Sequence, residues 1–78
     1  METTESRIKS IIAESLGVEL LEVEGKDAHL ENDLGADSMD RIELGMIIEE
    51  EFGIEIPDAV CSGFETVGDV VRYVEGLV

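Results

Sequence analysis

Apolar residues recur at helical spacing in three separate stretches of this chain, and no stretch alternates apolar with polar as a half-buried strand would. In residues 4–16, Ile8, Ile11, Ile12 and Leu16 fall at i, i+3, i+4 and i+8 on one helical face. Thr3 or Thr4 can cap the start, and Gly17 supplies a left-handed residue to end it. A second main helix is predicted from Ser38 to about Phe52, capped by Asp37 or Ser38 and ended by Gly53. Its apolar set (Met39, Ile42, Leu44, Met46, Ile47, Ile48, Phe52) covers more than one stripe, so this helix is expected to face both a core and something else. Pro57 opens a short helical turn over 57–61. Thr66 and Asp69 are spaced like a capping box, and Val67, Val70, Val71, Val74 and Leu77 follow at helical spacing. Valine is a modest helix former, so packing must hold this last helix. Residues 17–36 lack sustained periodicity. Val18, Leu20, Leu21, Val23 and Leu30 are scattered there among Gly25, Asp27, Asn32 and Gly35, and are expected to pin a long loop onto the helices. The fold class that follows is all-α: a small bundle of three main helices plus one short helix, with a long first loop.

Seventy-eight residues make one domain, 1–78, near the lower limit for an unaided hydrophobic core. Such a core is too small to surround a deep active site. With only Phe52, Phe64 and Tyr73 as aromatics, it must be built from Ile, Leu, Val and Met. The single Cys61 excludes an internal disulfide, and no Cys/His cluster offers zinc a site. The sequence has no apolar run of membrane-spanning length and no basic-then-apolar signal segment, so a cytoplasmic protein is expected. Twenty acids against five bases give a formal net charge of -15. That balance disfavours nucleic acid and anionic membranes as partners and favours positively charged protein surfaces.

The stretch "DLGADSMDRIEL", residues 33–44, sets one serine among acids at the start of an apolar helix. A nucleophilic serine needs a base in reach. The one histidine, His29, lies nine residues upstream in the expected loop. Ser38 therefore reads as a site acted upon, not one that acts. Gly35 keeps the backbone low beside the hydroxyl, and a helix N-terminus, with unpaired N–H groups and a positive dipole end, favours a phosphate. Residues 31–58 hold ten acids against Arg41 alone. Asp40, Glu43 and Glu50 lie along one side of the helix, with Met39, Ile42 and Met46 as a parallel apolar row. The bland reading is a solvated acidic face beside a core stripe. A calcium-binding loop fails, because Leu34, Ala36 and Met39 interrupt the ligand positions. An interaction adaptor with a phosphorylated or unmodified Ser38 stays open at this point.

"DLGADSMD" resembles the phosphopantetheine attachment motif D-L-G-x-D-S-L-[DE] of acyl carrier proteins, and "IEEEFGIEIPD" resembles the acidic end of that family's second helix. The resemblance runs over nearly the whole chain. It implies a non-catalytic carrier in which Ser38, with Asp37 beside it, holds 4′-phosphopantetheine installed from coenzyme A by a phosphopantetheinyl transferase. The magnesium for that step belongs to the transferase, and no metal site is expected in this chain. The prosthetic thiol would hold an acyl chain as a thioester for fatty-acid synthesis or related enzymes. The alternative is a specialised carrier for a polyketide, lipid-modification or aminoacyl pathway. Asp37, Asp40, Glu43, Glu49 and Glu50 match positions where the family meets basic patches on acyltransferase and synthase enzymes, with Met39, Ile42 and Met46 as the apolar part of the contact. The bundle interior would shelter the acyl chain, and the carrier would work as a monomer.

The chain departs from that pattern in several places. Met39 replaces Leu within the apolar class. Arg41 stands where the family has Thr, Ser or a small apolar residue. It is either an ion-paired or solvated helix-face residue or a charge that rejects some basic partners. Gly45 stands where an apolar residue is usual, at a cost of about 1 kcal/mol in helix propensity. It is simply tolerated, leaves room for a bulkier acyl group, or admits a neighbour. Residues 59–65, "AVCSGFE", are apolar where the family carries further acids, so the acidic patch stops at Asp58. Cys61 is expected in the core, and His29 in a loop.

Overall fold

The computed structural model describes residues 3–25 and 28–78. Among the described residues five helices follow one another: α1 (Thr4–Leu16), α2 (Leu20–Val23), α3 (Ser38–Phe52), α4 (Asp58–Gly63) and α5 (Val67–Glu75). The all-α bundle is as expected, and among the described residues there is no strand. One isolated antiparallel bridge joins His29 to Thr66. The three main helices begin and end where the sequence places them, apart from the end of α5, because each carries its own punctuation. Thr3, Asp37 and Thr66 cap α1, α3 and α5 in reciprocal boxes. Gly17 and Gly53 close α1 and α3 at φ 67 and 65.

Four expectations need correction. The first loop is not structureless, because residues 20–23 form a helical turn. The Glu22 carboxylate accepts the Glu19 N–H at 2.9 Å, and Lys9 Nζ donates to the Glu24 carbonyl at 3.0 Å. Lys9 is itself nearly buried, its stem packed inside and its ammonium held by Glu5 at 2.7 Å. The loop's apolar residues do not all pin it down. Val23 and Leu30 are buried and Val18 packs partly against the core, but Leu20 and Leu21 face outward. Leu77 also lies outside: α5 stops at Glu75, and the last residues turn back through the Leu77 and Val78 N–H groups onto the Val74 carbonyl. The short fourth helix runs 58–63 instead of 57–61. Asp27, one of the expected loop breakers, lies outside the described residues.

One apolar cluster joins Ile8 and Ile12 of α1, Leu44 and Ile48 of α3, Cys61 of α4 and Val67, Val70, Val71 and Val74 of α5. Valine fills α5 because its buried face packs against α1, where branched side chains give back in contact what they lose in propensity. The seam between α1 and α3 is closed at the surface by Arg7. Its guanidinium pairs with Glu51 and lies 4.6 Å over the Phe52 ring. Phe64 and Tyr73 meet edge to face, with centroids 5.7 Å apart. Residues 59–65 lend the core Cys61 and Phe64, which are buried, and Val60, which packs partly against it.

Candidate functional site

The segment leading to Ser38 is fixed from both sides. The Leu30 N–H donates to the Glu65 carbonyl at 2.8 Å, and the Val67 N–H donates to the Ala28 carbonyl at 3.0 Å. His29 caps the following turn: its Nδ1 accepts the Asn32 N–H at 3.1 Å, while Asp33 accepts the His29 N–H at 2.7 Å. The Ala36 N–H then donates to the Leu30 carbonyl, and Leu30, Leu34 and Ala36 are buried. Gly35, at φ 75, makes the left-handed bend between them. His29 is thus a structural loop residue whose Nδ1 lone pair is already used.

Ser38 occupies the first position of α3, exposed to solvent. Asp37 is the cap. Its carboxylate accepts the Asp40 N–H at 2.9 Å, and the Asp40 carboxylate accepts the Asp37 N–H at 3.1 Å. Among the described residues, the Ser38 hydroxyl and the Ser38 and Met39 N–H groups make no hydrogen bond. Helix geometry leaves those two N–H groups without an internal acceptor. Oγ therefore stands free beside two unpaired donors and the positive end of α3, an arrangement that accommodates a phosphoester on this oxygen.

From Ser38 one exposed stripe runs along α3. At about 100° per residue, Met39, Glu43, Met46 and Glu50 fall within about 60° of one another. Met39 is 68% exposed and Met46 57%, with both glutamates exposed between and beyond them. This stripe differs from the two parallel rows read in the sequence. Asp40 spends its carboxylate on the helix cap. Ile42 is half-buried against the core. Glu49 turns under the helix end, where it accepts the Ile56 N–H at 2.7 Å. Asp37 remains exposed beside Ser38. Among the described residues no group of three or more His, Cys, Asp or Glu side chains is arranged to hold a metal ion.

Two of the departures acquire physical reasons. A Cβ on Gly45 would lie 2.1 Å from Cys61 Sγ and 3.2 Å from Cys61 Cβ, so the glycine admits α4 against α3. Of the three roles open to Gly45, the neighbour's close approach is the one observed. Cys61 is 1% exposed, and burial, then Glu49 and Asp58, push its thiol pKa up, so it stays protonated. Arg41 is half-buried and makes no ion pair among the described residues. It folds back over the loop, with one terminal nitrogen donating to the Ala36 carbonyl at 3.1 Å.

The family model described as "Phosphopantetheine attachment site" matches residues 6–74. The chain belongs to that family. It is a phosphopantetheine-bearing carrier domain, and 4′-phosphopantetheine is its prosthetic group. A carrier of this kind works with an acyl chain and partner enzymes. The reactive thiol is the prosthetic group's, since the chain's only cysteine is closed inside the bundle. The match spans α1 to the last full turn of α5, so all five helices lie at least in part within the family region. No helix among the described residues is long and apolar enough to cross a membrane.

Proposed function

We propose that Ser38 is the attachment serine and that the chain carries acyl intermediates as thioesters for enzymes of fatty-acid synthesis or a related pathway. The observation that carries this reading is the exposed, unbonded Ser38 hydroxyl at the first position of α3, within "DLGADSMD". A phosphopantetheinyl transferase supplies the arm from coenzyme A, and the chain itself performs no chemistry. In this reading it acts as one monomeric domain in the cytoplasm. The stripe of Met39, Glu43, Met46 and Glu50 supports docking onto acyltransferase and synthase surfaces that set apolar pockets among Lys and Arg. Asp37 flanks the stripe, and Asp40, Ile42 and Glu49 border it. Exposed charge pairs give brief, salt-sensitive contact, which suits a protein that visits many enzymes.

A specialised carrier for a polyketide, lipid-modification or aminoacyl pathway is the second reading. The close approach of α4 to α3 at Gly45 supports it, because a Cβ there would meet Cys61 and the two helices leave no open space at that point. Charging the loaded protein separates the two. Offered a fatty-acyl-transferring enzyme and an aminoacyl-activating enzyme in turn, the loaded carrier should gain a fatty-acyl mass and no aminoacyl mass. The opposite pattern moves the chain to the specialised class.

A further inference from the structure

Arg41 is a cation in an unfavourable place. It sits in the first turns of α3, where the helix dipole disfavours positive charge. In a chain of twenty acids it forms no ion pair among the described residues. The two nearest carboxylates along the helix, Asp37 and Asp40, are bound to each other's backbone N–H. Its guanidinium makes one hydrogen bond, to the Ala36 carbonyl, and its Nε is shut away from solvent with no acceptor. An orphaned donor of this kind calls for an acceptor, and the chain supplies none.

The position of Arg41 indicates which acceptor. It lies three residues after Ser38, so the two side chains are neighbours on the helix surface, with Cβ atoms about 5–6 Å apart. To reach Ala36, two residues before Ser38, the side chain runs back toward the N-terminus past the level of the serine. A phosphodiester on Ser38 Oγ would carry two non-bridging oxygens that share one negative charge. Planar guanidinium groups bind such oxygens in a two-pronged fork.

We propose that Arg41 is a positioning residue for the prosthetic group: on loading, its guanidinium turns outward from the Ala36 carbonyl, donates, Nε–H included, to the phosphodiester on Ser38 and holds the base of the arm against the first turn of α3. The inference rests on Ser38 as the attachment serine. Loading pairs the cation and ends the isolation of Nε. It also makes the departure at residue 41 a device for the arm as well as a mark on the docking face.

The test compares the unloaded and loaded protein, each checked by intact mass, in wild type, Arg41→Gln and Arg41→Lys. In the wild type, loading should move the Arg41 Nε–Hε resonance downfield and shift the phosphorus resonance relative to the loaded Arg41→Gln protein. Loading should also raise the melting temperature by a few degrees more in wild type than in Arg41→Gln, with Arg41→Lys between them. A merely structural role over Ala36 would lower the unloaded and loaded proteins equally and leave that difference at zero. An Arg41 Nε–Hε resonance that stays in place on loading overturns the proposal, whatever the melting temperatures do. Absence of any mass gain in wild type removes the Ser38 reading first, and this inference falls with it.

Discussion

Replacing Gly45 by alanine should destabilise the carrier, although alanine is the better helix former. Its propensity advantage in a helix interior is about 1 kcal/mol. Against it stands a Cβ placed 2.1 Å from Cys61 Sγ, where heavy atoms normally rest about 3.5–4.0 Å apart. Sγ is one bond from the Cys61 Cβ, and the residue is fully enclosed, so little of the overlap can be relieved by swinging the thiol. The Cys61 Cβ is also close, at 3.2 Å, so α4 itself must shift. Overpacking of this kind costs roughly 1–3 kcal/mol, and the severity of the overlap places it at the upper end. The net loss is then about 1–2 kcal/mol, which for a domain this size lowers the melting temperature by about 4–16 °C. Thermal and urea unfolding followed by circular dichroism measures it. Cys61→Ala alone should cost about 1 kcal/mol in lost burial. In the Gly45→Ala background, however, it removes the clashing atom and should raise stability, giving a coupling of opposite sign to the single losses. A Gly45→Ala protein as stable as wild type, or a Cys61→Ala change that lowers both backgrounds equally, would refute the close-approach explanation of the glycine.

Glu49 and Glu50 are adjacent acids with different duties. Glu49→Ala strips the acceptor from the nearly buried Ile56 N–H and should cost about 1–3 kcal/mol, whereas Glu50→Ala should stay within about 0.5 kcal/mol; equal losses in chemical unfolding would contradict the assignment. Reversing Glu43 and Glu50 together to Lys should slow loading by a fatty-acid-type transferase while leaving helicity intact, and wild-type loading should slow as salt rises. Unchanged loading rates on folded protein would count against the stripe as a docking surface. Asp69 tests the cap of α5. Burial alone would raise its pKa, but the Thr66 and Glu65 N–H groups, and then Arg72, hold it below its ordinary value of 3.8. A carboxyl depressed on folding contributes stability above the unfolded pKa and loses it as pH falls through the folded one. The advantage of wild type over Asp69→Asn should therefore be full near neutrality and shrink below about pH 4. A pH-independent difference would argue that the charge contributes nothing.

The main helices were legible because periodicity and caps agree at each of them: Thr3, Asp37 and Thr66 open helices where an apolar face begins, and Gly17 and Gly53 close them. The place of Ser38, exposed at the first position of α3, was legible from the Asp37 cap and the apolar run that follows it. What the sequence hid is tertiary. The turn at Leu20–Val23 has one buried residue, too few to set a period, and it depends on Lys9 reaching across from α1. The burial of a lysine stem is invisible to a hydropathy pattern. Asp40, Glu43, Glu49 and Glu50 look alike as acids, yet the Asp37 and Ile56 N–H groups engage Asp40 and Glu49 in a cap and a turn while Glu43 and Glu50 face outward. Gly45 explains itself once Cys61, sixteen residues later, is seen against it.

The central claim is that the arm sits on Ser38. Wild type and Ser38→Ala, both shown folded by circular dichroism, should be incubated with coenzyme A and a promiscuous phosphopantetheinyl transferase and compared by intact mass and fragment mapping. The account predicts one phosphopantetheine on wild type, located on the peptide that contains Ser38, and no mass gain on Ser38→Ala. A folded Ser38→Ala protein that still gains the arm, at Ser62 or any other hydroxyl, would contradict it.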